Sequence, residues 1–188
     1  MLKHIAEAGK YVGITGFRNV CIKNTKEFMK AARGETFQSC LVQFLDAERV
    51  AGWQHLYFAA LNALLAFISE RKVSKSLAME VILHASAQRQ IRKAIELMGV
   101  KCKSANVAVV IIGESAETVR SALSVVSRRI GKDPDDAVLE ITEEKAQVIR
   151  EAFGVTETEL ETVIVNGNSK QALVDLIIER VALLSAQL

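Results

Sequence analysis

The apolar positions of this chain change period several times, and each change marks an expected element. Residues 11–22 mix β-branched and aromatic side chains at Val12, Ile14, Phe17, Val20 and Ile22, which predicts an extended segment. Gly13 and Gly16 inside it predict a bend or bulge. Residues 24–33 switch to helical spacing through Phe28, Met29 and Ala32, with Asn24 or Thr25 placed to cap the first amides and Gly34 to stop the helix. Residues 40–45 alternate yet stay mostly apolar on both faces, the pattern of an interior strand covered by helices.

Residues 51–70 are apolar nearly all round, so they predict a central helix. Two more helices are expected at residues 76–84 and 89–98, split around 85–88 and stopped by Gly99. Residues 106–113 form the clearest strand, a run of Val107, Ala108, Val109, Val110, Ile111 and Ile112 bounded by polar residues and a glycine. A helix over 116–130 follows, then a turn at Lys132, Asp133, Pro134 and Asp135. Thr142 can cap a helix through Phe153, with Glu143 and Glu144 in its first turn and Gly154 as its stop. The final helix, 169–186, aligns Leu173, Ile177, Val181, Leu184 and Leu188 at steps of three and four. The expectation is an α/β (α+β) fold, with a small mixed or antiparallel sheet of about three to four strands packed with about seven to eight helices. No repeat or linker divides the chain, so residues 1–188 are read as a single domain.

Composition adds that this is a chain able to bury a core without staples: 188 residues, 50% apolar and 24% charged. Cys21, Cys40 and Cys102 are odd in number and form no CxxC pair, which predicts small buried thiols in a reducing compartment. The first residues carry Lys3, His4, Glu7 and Lys10 and no apolar core, so a signal peptide is not expected and the location is read as cytoplasmic. The longest apolar run, 56–68, is interrupted by Asn62 and falls short of the roughly 20 residues of a membrane span.

Charge changes the picture more. The net charge is only +2, yet residues 71–103 hold eight Lys or Arg against two Glu, and residues 133–161 hold ten Asp or Glu against two basic residues. In the basic block Arg71, Lys72 and Lys75 sit in a loop before a helix, where cations and free amides both favour an anion. Arg89, Arg92 and Lys93 add charge at the next helix, and Gln88 and Gln90 can reach exposed bases of a single strand. The competing reading is two amphipathic helices whose wet faces are basic.

Catalytic chemistry is thin. There is no P-loop and no GxGxxG after a strand, and His4, His55 and His84 have no partners at metal-ligand spacing. The acidic run Asp133, Asp135, Asp136 and Glu140 is read as a solvated face, so no metal is expected. Gly113, Glu114, Ser115, Ala116, Glu117 imitates a nucleophile elbow but lacks its last glycine. Ser115 is therefore expected to cap a helix, and a small serine hydrolase using Ser115 stands as the rival function.

Three words of this sequence carry a resemblance. The first is Phe44, Leu45, Asp46, Ala47, leading through Val50, Ala51 and Gly52 into His55, Leu56, Ala59, Asn62, Ala63 and Ala66. The second runs Ser74, Lys75, Ser76, Leu77, Ala78, Met79, Glu80, Val81, Ile82, Leu83, then Ala85, Ser86, Ala87, Gln88, Arg89, Gln90, Ile91. The third is Ala94 and Ile95 with Gly99 and Val100. In these the chain resembles the small kinase-binding subunit of the KEOPS tRNA-modification complex, the PRPK-binding protein family, in its archaeal form. The resemblance implies a subunit with no active site, cofactor or small-molecule substrate. It implies two partners, the small atypical kinase or ATPase of the complex and tRNA, whose CCA end is held for threonylcarbamoyladenosine modification. On that basis tRNA contact is placed at Arg71, Lys72, Lys75, Gln88, Arg89, Gln90, Arg92 and Lys93, and kinase contact on the apolar stripe Leu173, Ile177, Val181 and Leu184.

Overall fold

A computed structural model describes residues 1–33 and 40–186; the expected stop at Gly34 and the last stripe position, Leu188, lie outside the described residues. Four strands, β1 (Leu2–Ile5), β2 (Lys10–Phe17), β3 (Cys40–Asp46) and β4 (Val107–Gly113), form one antiparallel sheet in the order β1-β2-β4-β3. Its helices are α1 (Thr25–Arg33), α2 (Gly52–Ile68), α3 (Leu77–Ala85), α4 (Ile91–Met98), α5 (Ala116–Ile130), α6 (Glu143–Phe153), α7 (Glu157–Val163) and α8 (Ser169–Ala186). The α+β expectation holds, with the antiparallel form of the sheet.

The period-2 pattern of the strands sorts their side chains onto two covered faces. Val12, Ile14, Leu45, Ala108, Val110 and Ile112 point into a core with α2, α3 and α4, while Phe17, Val42, Phe44, Val107, Val109 and Ile111 meet α5 and α1. Every residue of β4 is buried, which explains why its sequence shows no polar face. A third cluster joins α6, α7 and α8 through Ile149, Leu160, Leu173, Leu176 and Ile177, with Ala51 at the entry to α2.

Several expectations change. The extended segment ends at Phe17, although Val20 and Ile22 beyond it are still buried. It has no bulge: β2 pairs with β4 without interruption from Tyr11↔Gly113 to Phe17↔Val107. Its glycines serve close approach instead. A Cβ at Gly13 would lie 2.5 Å from Val119 Cγ1, and one at Gly16 would lie 2.8 Å from Val138 Cβ and 2.9 Å from the Asp135 carbonyl oxygen. β3 is interior only in being covered on both faces; in strand order it stands at an edge. The cysteines are free but not buried, since Cys21 and Cys102 are exposed and Cys40 half-buried. Cys102 lies in a turn against α1, its Sγ 3.5 Å from Thr25 Oγ1.

Candidate functional site

The basic block is built around α3. α2 ends at Ile68, and Glu70 takes φ +56°, turning the chain into a loop over residues 69–76. Arg71, Lys72 and Lys75 are exposed there, with Lys72 Nζ 4.9 Å from the centre of the Phe67 ring. The loop is fastened from below. Glu80, on the buried side of α3, accepts hydrogen bonds from the Val73 amide at 3.2 Å and the Ser74 amide at 2.8 Å, and the Ser74 hydroxyl accepts from the Ser76 amide at 3.1 Å.

At the other end of α3 the chain reverses through residues 86–90. Ser86 Oγ donates to the Leu83 carbonyl at 3.0 Å, the Gln88 amide donates to the same carbonyl at 3.1 Å, and Ala87 adopts φ +50°. His55 of α2 holds this turn from inside. Its Nδ1 accepts from the Ala51 amide at 3.1 Å, which leaves the proton on Nε2 to donate to the Ala85 carbonyl at 2.7 Å. Burial lowers its pKa to about 4, so the ring is neutral. Arg89, Gln90, Arg92 and Lys93 are exposed, and Arg92 pairs with Glu96 of its own helix at 3.2 Å.

The predicted cations form two exposed groups, one in the loop before α3 and one at the start of α4, as their places in the sequence lead one to expect. The first is Arg71, Lys72 and Lys75; the second is Arg89, Arg92 and Lys93. Nine residues of α3 separate them, a rise of roughly 13 Å. Gln88 is half-buried and lines a cleft of about 280 Å³ with Ser86, Ala87, Phe153, Arg180, Leu183 and Leu184. Arg180 braces its far wall, Nε donating to the Phe153 carbonyl at 3.3 Å and the guanidinium pairing with Glu159 at 3.1 Å. One cleft thus touches both predicted sites, a proximity that their wide separation along the sequence conceals.

The stripe on α8 lies inward. Leu173, Ile177, Val181 and Leu184 are all buried, the first two in the α6–α7–α8 cluster and Val181 in the main core. Core burial uses the same spacing as a docking face, so the stripe itself offers no free surface in the isolated chain. What α8 leaves exposed is its other flank, including Glu179, Ala182 and Leu183, the last 49% exposed.

Ser115 is a helix cap. Its backbone is extended at φ −140°, and its Oγ accepts from the Thr118 amide at 3.1 Å and pairs with Thr118 Oγ1 at 2.9 Å. Several of the ten acidic residues of 133–161 are held in side-chain hydrogen bonds or ion pairs: Asp135 with Arg18, Asp136 with Thr15, Glu143 with Lys170, Glu157 with Arg150, and Glu159 with Thr156 and Arg180. Among the described residues no group of three or more His, Cys, Asp or Glu is placed to hold a metal ion, and no helix is long and apolar enough to cross a membrane.

Comparison with known proteins bears on the kinase partner. The family model described as kinase binding protein CGI-121 matches residues 17–185. A curated relative, the regulatory protein Cgi121 of Methanocaldococcus jannaschii, is 38% identical over 113 residues, covering 60% of this chain and 70% of the relative. Both agree with the resemblance carried by the three words of sequence around α2, α3 and α4. Because the family match takes in β3, β4, the helices of the basic edge and the α6–α7–α8 cluster, the chain belongs to the CGI-121 kinase-binding protein family.

Proposed function

We propose that this chain is the non-catalytic regulatory subunit of a KEOPS complex, which binds the small atypical kinase or ATPase of that assembly and helps recruit tRNA. The tRNA, its single-stranded CCA end included, lies along the edge from Arg71 to Lys93 for threonylcarbamoyladenosine modification. The observation that carries the reading is the exposure of six cations at the two ends of α3, with Gln88 and its cleft beside the second group. Exposed cations at two separated points suit a flexible phosphate chain, and a small cleft with a polar wall suits an unstacked base. The kinase docks on the exposed flank of α8 around Leu183, with the stripe Leu173, Ile177, Val181 and Leu184 acting as the packed support of that helix.

The test of the RNA half is a double charge reversal, Lys75→Glu with Arg89→Glu, one change in each group. tRNA affinity should fall at least about tenfold near physiological salt, and the salt slope should drop by about 0.7 for every phosphate no longer neutralised. Affinity and slope that stay at wild-type values would sink it. For the kinase half, Leu183→Glu should abolish copurification with the small kinase while leaving circular dichroism and melting unchanged; undiminished capture would rule out the Leu183 flank as the docking surface.

A further inference from the structure

Glu80 is a carboxylate with 0% exposure, and among the described residues no Lys or Arg pairs with it. Burying such a charge is costly unless hydrogen bonds meet it. Its two oxygens each accept one backbone N–H from consecutive loop residues, Val73 to Oε1 at 3.2 Å and Ser74 to Oε2 at 2.8 Å. A buried neighbour, His84, has Nε2 3.7 Å away, and its pKa is lowered by burial to about 4. The loop amides are therefore what holds the carboxylate, and the carboxylate in turn holds the loop. That loop carries Arg71, Lys72 and Lys75 outward.

We propose that Glu80 is a positioning residue for RNA binding: by accepting the Val73 and Ser74 amides it fixes the loop in the shape that presents the Arg71, Lys72 and Lys75 cations to a polyanionic strand. The inference rests on the tRNA reading above and adds to it a residue that never touches the ligand. A loop ordered in advance relieves the complex of ordering it on binding. Neighbouring features are consistent with a preset shape, since Lys72 lies on Phe67 and Ser74 Oγ bonds the Ser76 amide.

The sign of one substitution separates positioning from charge. Removing a negative charge beneath a cationic loop would, by electrostatics alone, strengthen polyanion binding. Glu80→Gln removes that charge and replaces one accepting oxygen with an NH₂ that cannot accept. If Glu80 positions the loop, tRNA binding by E80Q should instead weaken on the order of tenfold. Hydrogen exchange at the Val73 and Ser74 amides should quicken while the core amides of β4 keep their protection. E80D, which keeps the charge but shortens the reach, should show the same loosening and the same weakening. Wild-type or stronger affinity in a folded E80Q or E80D overturns the proposal. Where both variants fail to fold, the wild-type chain decides it: Val73 and Ser74 amides already protected before tRNA is added support it, and amides exchanging there at the rate of an unstructured peptide overturn it. If the wild-type chain does not bind tRNA, or K75E with R89E binds it as tightly as the wild type, the tRNA reading falls and this one with it. An unchanged E80Q affinity beside a responsive K75E/R89E removes this one alone.

Discussion

At the scale of single residues, the buried ionisable groups decide how the protein responds to pH. His55 and His84 both have pKa values lowered to about 4, burial being the main cause for each. Between pH 6.5 and 4 the unfolded chain takes up protons on these rings that the folded chain refuses, so stability falls as pH falls. Each histidine contributes up to about 3 kcal/mol of that loss. Urea unfolding at pH 7 and pH 4.5 should show it. His84→Met should reduce the acid sensitivity, at the expense of the ring's contact with the Val181 backbone. Lys145 carries the same sign at the other end of the scale. Its Nζ donates to the Val138 carbonyl at 2.9 Å in a buried setting, and burial lowers its pKa to about 8 against the opposing pull of Glu48, Asp46 and Glu140. From pH 8 to 10.5 the unfolded lysine stays protonated while the folded one gives up its proton, so this group makes stability rise with pH. Lys145→Met should flatten that rise in the same unfolding measurement. Neither effect is readable from sequence, where all three residues look like ordinary members of helical patterns.

Elements show where periodicity stops being informative. The strands β2, β3 and β4 and seven of the helices follow directly from spacing and caps, and Ser115, Thr142 and Gly154 do at their helix ends what their residue types suggest. Two glycines in a strand have two meanings, a bulge or a close approach, and only the neighbours distinguish them. Gly13→Ala should destabilise by about 1–3 kcal/mol through overpacking against Val119, and Val119→Ala should recover part of that loss, whereas no partner change relieves Gly16→Ala, which also meets the Asp135 backbone. The α8 stripe has the same ambiguity, since a core face and a docking face share one spacing. Ile177→Ala should cost about 2–5 kcal/mol in denaturant unfolding, as expected of a core residue. Apolar spacing passes over α7, although a signal for it is present: Thr156 and Glu159 form a capping box, visible as Thr-x-x-Glu before Leu160. β1 is four residues with two of them exposed, too short for alternation to register.

For the whole molecule, the uneven charge of the sequence resolves into two different uses. The acidic side chains are exposed or half-exposed as well, but several are engaged there, in helix caps and in surface pairs with Arg18, Arg150, Lys170 and Arg180. The cations at the two ends of α3 stay in solvent, apart from the exposed pair of Arg92 with Glu96. The candidate RNA residues are legible in sequence because charge and loop position are local properties. Their division into two groups is legible too, since the helix expected at 76–84 stands between them. The cleft that Gln88 shares with Arg180, Leu183 and Leu184 is not, since it forms where the end of α6 and α8 meet the turn after α3. This shared cleft has a thermodynamic consequence. A kinase seated on the Leu183 flank and a base seated beside Gln88 would border the same small space, which gives the two binding events a physical route for coupling. Whatever factor the kinase imposes on the affinity for tRNA, tRNA must impose on the affinity for the kinase. Titrations run in both orders should return equal coupling factors, and narrowing the space with Ala152→Leu should change both together.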